Sequence, residues 1–287
     1  MTLFEFQRLF NTEAKCRRHL RRTRWGNGIA CPRCGSKRVD RFRVRAQYEC
    51  RCCRYIFSVT AGTIFHKTHT PLVKWFQALF AMARMIKSIS ARQLAKDLGL
   101  SYETAWCICH KIRAAMGNPQ ERALLRGLVE MDDACVGGKR PGPHGRGADG
   151  KSALIVAAES PTGAVRAVAV KTLDGEAFGG VAREAVESGS TIRTDGLRAC
   201  RGVRKEGFAH EVHKNRVLDG LFDTGTQTVH GFVALFKRGY VGAYHQMSEK
   251  YVQLYLNEYE FRHNHKNDQR ILDALLEQCV FQPALTR

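Results

Sequence analysis

Residues Leu128–Gly138 read LVEMDDACVGG, an apolar run that carries Glu130, Asp132 and Asp133 and closes on a glycine pair. This pattern predicts a strand that presents carboxylates at a sheet edge or end. Side chains alternate across a strand, so Asp132 and Asp133 fall on opposite faces and Glu130 shares the face of Asp132. A second short β-like run, STIRTDG from Ser190 to Gly196, ends on Asp195. A third stretch, VHGFVALFKR from Val229 to Arg238, reads as a helix carrying His230 and Lys237. Two strand-borne aspartates and a polar side chain from a later helix form the constellation that holds paired divalent metals for phosphoryl transfer. Taken singly, each aspartate also fits a solvated strand end or an ordinary turn before glycine.

The order of elements around these residues gives them a frame. After LVEMDDACVGG comes a glycine-rich basic loop at 137–151, which lacks the GxxxxGK[ST] order of a nucleotide-binding loop. SALIVAAES and AVRAVAVKT read as a hairpin turning at Pro161-Thr-Gly163. GEAFGGVAREAVESG follows as a helix, STIRTDG as a strand, CRGVRKEG as a short helix and HEVHK as a strand. Three strands, helix, strand, helix, strand is the order of an α/β RNase H-like (retroviral integrase-type) domain. In the tail, Ser248 can cap a helix with Tyr251, Leu254, Tyr255 and Phe261 at core-packing intervals. Residues 267–281 form a last amphipathic helix.

Upstream, Cys31-Pro-Arg-Cys34 and Cys50-Arg-Cys-Cys53 are two CxxC steps, with Cys50 placed 16 positions after Cys34 (50 − 34). Four thiolates at this spacing suit one tetrahedral Zn2+ in a zinc ribbon, with Cys31, Cys34, Cys50 and Cys53 as ligands and Cys52 as a bystander. Gly35 suits the turn behind the first knuckle, and FRVRAQYEC supplies a hairpin between the two. PLVKWFQALFAMARMI predicts a buried helix starting at Pro71. From Ser90 to Met116 the pattern is capped helix, Gly99, then a helix capped by Ser101, the plan of a helix-turn-helix whose second helix carries Lys111 and Arg113.

The chain has 287 residues, 46 Lys and Arg against 27 Asp and Glu, a formal charge of +19 and a pI near 9.8. So much positive charge favours a polyanion as partner. Double-stranded DNA outranks a membrane, because no apolar run approaches the ~18 residues of a span. The first ten residues lack a secretory layout, and eleven cysteines with paired CxxC spacing point to a reducing cytoplasm and a metal rather than disulfides. The arginine-dense segment at 11–26 places Arg18, Arg21 and Arg22 beside the cysteine motif as phosphate contacts.

The motifs together resemble one family, the ISXO2-like insertion-sequence transposases of the wider Asp-Asp-Glu superfamily. CPRCG and YECRCC resemble its zinc ribbon, VEMDDACVGGK its first-aspartate strand and RTDG its second. KRGYVGAYHQMSEKYVQLYLNEYEFRHN resembles its C-terminal signature, in which a lysine follows the third catalytic position by seven (237 − 230). The resemblance implies Asp132 and Asp195 as ligands of Mg2+ or Mn2+, His230 at the third catalytic position, and Lys237 as a DNA contact. Lys139, Arg140 and Arg238 join the expected DNA-contacting set. One departure stands out: His230 occupies a position where many relatives carry glutamate or asparagine.

The expected organisation is therefore multidomain. A basic arm and zinc ribbon span 1–62, a helical helix-turn-helix region 63–118, and an RNase H-like catalytic domain with C-terminal helices 119–287. The expected activity is cleavage of the element's DNA ends and strand transfer to target DNA, by a homo-oligomer of at least two chains acting at the nucleoid. Two alternatives remain: a domesticated DNA-binding protein, or a nuclease of the same fold without strand transfer.

Overall fold

A computed structural model of the chain describes residues 1–26, 28–42, 46–85, 88–118, 122–137, 151–213, 216–218, 221–223 and 225–281. The chain divides into two compact units, one formed by Met1–Glu121 with Asn267–Arg287 and the other by Arg122–Lys266.

The first unit begins with helices α1 (Leu3–Phe10) and α2 (Glu13–Arg24). Thr2 and Glu5 form a reciprocal capping box on α1, and Thr12 caps α2. On α2 only Cys16 and Leu20, one turn apart, are buried, which leaves Arg17, Arg18, Arg21 and Arg22 exposed. Strands β1 (Val39–Phe42), β2 (Gln47–Cys50) and β3 (Ile56–Ser58) form an antiparallel sheet with β2 in the middle. Its small core is aromatic: the Trp25 ring lies 5.5 Å from Tyr48 and 6.0 Å from Phe57.

Helix α3 (Leu72–Arg84) follows, with Pro71 at its N-cap and seven buried side chains. Helices α4 (Ala91–Leu98) and α5 (Tyr102–Met116) are bounded as the sequence reads. The Ser90 hydroxyl accepts from Gln93 N–H, Gly99 adopts the left-handed conformation at φ 56°, and the Ser101 hydroxyl accepts from Thr104 N–H. The last helix of the chain, α10 (Ile271–Phe281), packs against α2, α3 and α5, with Cys279 fully buried. The sequence reading carried that helix in the catalytic domain. An amphipathic pattern shows that a helix has a partner but not which one.

The second unit holds strands β4 (Leu128–Val136), β5 (Ser152–Ser160) and β6 (Val165–Val170), helix α6 (Gly175–Ala185), strand β7 (Thr191–Thr194), short helix α7 (Gly202–Lys205) and strand β8 (Ala209–Val212). Strands β9 (Arg216–Leu218) and β10 (Leu221–Asp223) pair with each other, and helices α8 (Gln227–Gly239) and α9 (Val252–Asn264) follow. Three strands, helix, strand, helix, strand is the order anticipated from the residues. The five-stranded sheet runs β6-β5-β4-β7-β8, antiparallel from β6 to β4 and parallel from β4 to β8.

Alternation on β4 sorts the core into two layers. Val129 and Met131 pack with Phe178, Val181 and Ala182 of α6 on one face. Ala134 and Val136 pack with Val229, Phe232 and Phe236 of α8 and Tyr259 of α9 on the other. At the end of α8, Gly239 lets the Tyr259 hydroxyl occupy the space where a β-carbon would stand.

Helix α9 starts at Val252, and the Ser248 side chain makes no capping bond, contrary to the expected cap. The helix instead serves the edge strand β6 with polar side chains. Asn264 bonds both N–H and C=O of Val165, Gln253 accepts from Ala169 N–H and donates to Ala167 C=O, and Glu260 accepts from Ala167 N–H. An edge strand's backbone groups need partners wherever they leave water. Glu260 is 3% exposed and also meets Arg166 at 2.9 Å and Arg122 at 3.2 Å. Removing one member of a buried ion network leaves the others uncompensated, so Glu260→Gln should lower unfolding stability by about 3 kcal/mol. Urea denaturation measures this, and a loss below about 1 kcal/mol would show that water already reaches the site.

Candidate functional site

Glu130 and Asp132 lie two residues apart on the β4 face that receives α8, and both are buried. They hold the first turn of that helix. One Glu130 oxygen accepts from Thr228 N–H at 2.8 Å and Val229 N–H at 3.4 Å, and the other from the Thr228 hydroxyl at 3.0 Å. The N-cap residue Thr226 makes no side-chain capping bond of its own. A carboxylate from the strand therefore does the capping, where backbone donors are unpaired and the helix dipole favours negative charge.

Asp132 reaches the same turn through Oδ2, which lies 2.9 Å from His230 Nε2 and 3.4 Å from the Thr226 hydroxyl. Its Oδ1 accepts from Asp133 N–H at 2.8 Å. Burial pushes the Asp132 carboxyl above its usual range, and the charge of Asp195 adds to that push; the Asp133 N–H and His230 pull the other way.

Asp195 follows β7 directly. Parallel pairing sets Leu128 opposite Thr191 and Glu130 opposite Arg193; Asp132 and Asp195 follow two residues beyond the last of these pairs, and the charge of Asp195 bears on the Asp132 carboxyl. Adjacent strands stand about 4.8 Å apart, so the two carboxylates are neighbours on one face. Their shared field also shows at Cys200, whose thiol is pushed up to about 12 by burial, then Asp195, with Asp132 a smaller contributor. His230 is half exposed, at 51% of its side chain. Lys237, seven residues on, lies about two turns along the same helix face; it and Arg238 are both exposed.

The sequence reading singled out neither Thr226 nor Thr228. A Thr at a helix start is a recognisable signal, but only the fold shows that its partner is a strand carboxylate.

Among the described residues, Cys31, Cys34, Cys50 and Cys53 are the group of three or more His, Cys, Asp or Glu whose donor atoms all lie within 4.8 Å of one another; Asp132, Asp195 and His230 are not gathered that closely. The sulfurs of Cys31 and Cys53 are 3.6 Å apart and those of Cys34 and Cys50 3.5 Å, near the ~3.8 Å edge of a tetrahedron with ~2.3 Å arms. Both knuckles close alike: Gly35 N–H donates to Cys31 C=O and Arg54 N–H to Cys50 C=O, each from a residue with positive φ. Arg33 N–H points at the Cys31 sulfur at 3.4 Å. Cys52 stands outside the group, 3.1 Å from the Ser36 hydroxyl. The residues present fit a zinc ion.

The expected DNA contacts divide. Arg18, Arg21 and Arg22 are exposed on α2. Arg113 is corrected: at 1% exposure its guanidinium lies in the interior of the helical region and has no route to phosphate. Lys111 is half-buried, its ammonium 6.0 Å from the Trp75 ring. Lys139 and Arg140, with most of the basic loop, lie outside the described residues.

Residues 124–264 match the family model described as the ISXO2-like transposase domain, and residues 11–56 match the transposase zinc-ribbon domain. A protein of the transposable element ISH50 from Halobacterium salinarum is 30% identical over 208 residues, covering 66% of this chain and 69% of that relative. Among solved structures, the Mos1 transposase paired-end complex with the left transposon end is 13% identical at a TM-score of 0.27, covering 71% of this chain and 78% of that one. A chain of the simian T-cell lymphotropic virus intasome in complex with the PP2A regulatory subunit B56 gamma is 16% identical at a TM-score of 0.31, covering 58% of this chain and 63% of that one, a little under two thirds. No helix among the described residues is long and apolar enough to cross a membrane. With the family models covering both the ribbon and the acidic domain, the chain belongs to the ISXO2-like family of insertion-sequence transposases.

Proposed function

We propose that the second unit is an RNase H-like domain that cuts the element's DNA ends and joins them to target DNA at Asp132, Asp195 and His230. One observation supports this reading above the others: the buried Asp132 carboxyl, which feels the charge of Asp195, lies 2.9 Å from His230 Nε2 of α8. A buried carboxylate pushed above its usual range by burial and a neighbouring acid is a place where a cation offsets the repulsion. The donor set fits, since carboxylate oxygens suit hard divalent ions and an imidazole shifts the preference towards Mn2+. Divalent ions held there would activate the attacking oxygen and stabilise the departing one in an in-line displacement.

The chain's own residues supply the rest. Glu130 fixes the helix turn that carries His230. Lys237 stands two turns along as a point charge for phosphate. In the first unit, Arg17, Arg18 and Arg21 of α2 and Arg41 of β1 line one groove of about 610 Å3, with Tyr48 at its wall. Four guanidiniums against the single carboxylate of Glu13, itself paired with Arg17, favour a DNA backbone there. Helices α4 and α5 add a helix-turn-helix in which the exposed N-terminal turn of α5, at Tyr102 and Glu103, meets the bases. Two ends must be processed together, so the active form is at least a dimer. The rival readings, a degenerate DNA-binding protein and a nuclease without strand transfer, have no separate observation in their favour.

Purified protein should contain one zinc per chain by elemental analysis. Cys34→Ser should lose the zinc together with binding to the element ends, whereas Cys52→Ser should keep both. Zinc retained by Cys34→Ser would mean the wrong ligands.

With a labelled terminal inverted repeat, the wild-type chain should cleave and strand-transfer in Mn2+ better than in Mg2+. Asp132→Ala and Asp195→Ala should each lower cleavage at least about a hundred-fold, the loss of several kcal/mol of transition-state stabilisation, with end binding retained. His230→Ala should be impaired in both metals, and His230→Glu should shift the preference back towards Mg2+. Cleavage without joining favours the nuclease reading, and wild-type-like cleavage by either aspartate variant removes the proposed site.

A further inference from the structure

The turn that carries Asp195 is held from beneath by side chains that the proposed chemistry does not otherwise use. Thr194, the residue before Asp195, is fully buried at the end of β7 on the sheet face opposite Asp195. Its hydroxyl accepts from Gly196 N–H at 3.3 Å, so it closes a turn around Asp195. Asp195 Oδ1 closes the next turn by accepting from Leu197 N–H at 3.1 Å. Gly196 sits between at φ +91°, and a β-carbon there would meet Val212 at 2.8 Å, so the backbone path leaves little latitude.

The orientation of the Thr194 hydroxyl depends on a histidine of the neighbouring strand. His210 on β8 lies opposite Ile192, and its Nε2 is 2.9 Å from Thr194 Oγ1. Its Nδ1 is 3.1 Å from Arg204 Nε on α7. A guanidinium N–H can only donate, so Nδ1 must be the acceptor. The proton of the neutral ring therefore sits on Nε2 and is donated to Thr194. Burial, then the charges of Arg204 and Arg201, hold this imidazole below its ordinary value, which keeps the ring neutral. The direction of every bond follows: Arg204 donates to His210, His210 to Thr194, and Gly196 N–H to the same oxygen.

We propose that His210 is a positioning residue for the transposition reaction: oriented by Arg204, its imidazole fixes Thr194 and thereby the Asp195–Gly196 turn, keeping Asp195 near Asp132. The inference rests on Asp195 acting in the reaction, and it adds a residue outside the Asp132, Asp195 and His230 set. Its sequence signal was faint, one of two histidines in the short run HEVHK, 15 positions after Asp195 (210 − 195).

The experiment measures single-turnover cleavage of a labelled element end by the full-length chain, alongside the affinity for that end and the thermal midpoint. His210→Phe should cut about ten-fold more slowly, the weight of one hydrogen bond, with unchanged end affinity. His210→Gln, whose amide can donate to Thr194 while its carbonyl accepts from Arg204, should recover to within about three-fold of wild type. Thr194→Val should lose as much as His210→Phe, and the double variant should lose no more than either alone, because both break one chain. In wild-type protein labelled with 15N-histidine, His210 should show a protonated Nε2 and a bare Nδ1. Unchanged cleavage by His210→Phe, additive losses in the double variant, or the opposite tautomer overturns the proposal. Should His210→Phe fail to fold, the His210→Gln rate and the wild-type tautomer decide. An Asp195→Ala chain that cleaves normally defeats the underlying site instead, so the two failures are distinguishable.

Discussion

Two carboxylates on one face of β4 hold the first turn of α8, and the geometry of the acidic unit depends on that contact. Glu130 takes the unpaired N–H groups of the helix start, and Asp132 takes His230 from the same turn. A charged cap at a helix N-terminus contributes on the order of 1 kcal/mol, modest beside the core it helps to register. Its larger effect is directional. With Thr228 and Val229 bonded to Glu130, the next residue, His230, bonds Asp132, and β4 pairs in parallel with β7, the strand that leads into Asp195. Sheet register, helix rotation and acid placement are one coupled arrangement.

The remaining layers keep that arrangement rigid. On the far face, α6 packs Phe178 and Val181 against Val129 and Met131, so β4 cannot roll. On the near face, α9 completes the edge of β6 with Gln253, Glu260 and Asn264, substituting side-chain amides and a carboxylate for a missing strand. Much of the C-terminal run YVQLYLNEYEFRHN is thus structural: Gln253, Glu260 and Asn264 satisfy a sheet edge, and Tyr255 and Tyr259 fill the core beneath α8. A polar residue at such a position is more costly to lose than its partial exposure suggests, because backbone groups of β6 lose their partners with it.

What could be read from the residues alone followed from local rules. The CxxC pairs, the caps at Ser90 and Ser101, the helix end at Gly99 and the alternation of Glu130, Asp132 and Asp133 each depend on a few neighbouring positions, and each is found as expected. The failures share one cause, since burial depends on partners distant in sequence. Arg113 looked like a phosphate contact on a basic helix, yet it lies on the face that the helical region buries. Helix α10 looked like an appendage of the catalytic domain and packs with α2, α3 and α5. Glu130 was placed on the correct face, but its role as a cap for α8 required knowing that residue 228 returns to it across 98 positions. His210 gave no readable pattern, because a tautomer is fixed by two partners on separate elements.

In the proposed site, Asp132, Asp195 and His230 together hold the catalytic divalent ion. Paramagnetic broadening by Mn2+ in 15N-histidine-labelled protein tests it without relying on turnover. Titrated Mn2+ should selectively broaden the His230 imidazole resonances, and Asp132→Asn or Asp195→Asn should each abolish the effect at the same concentration. If the His230 signals stay sharp, or broaden equally in both aspartate variants, the ion binds elsewhere and the proposed site is contradicted.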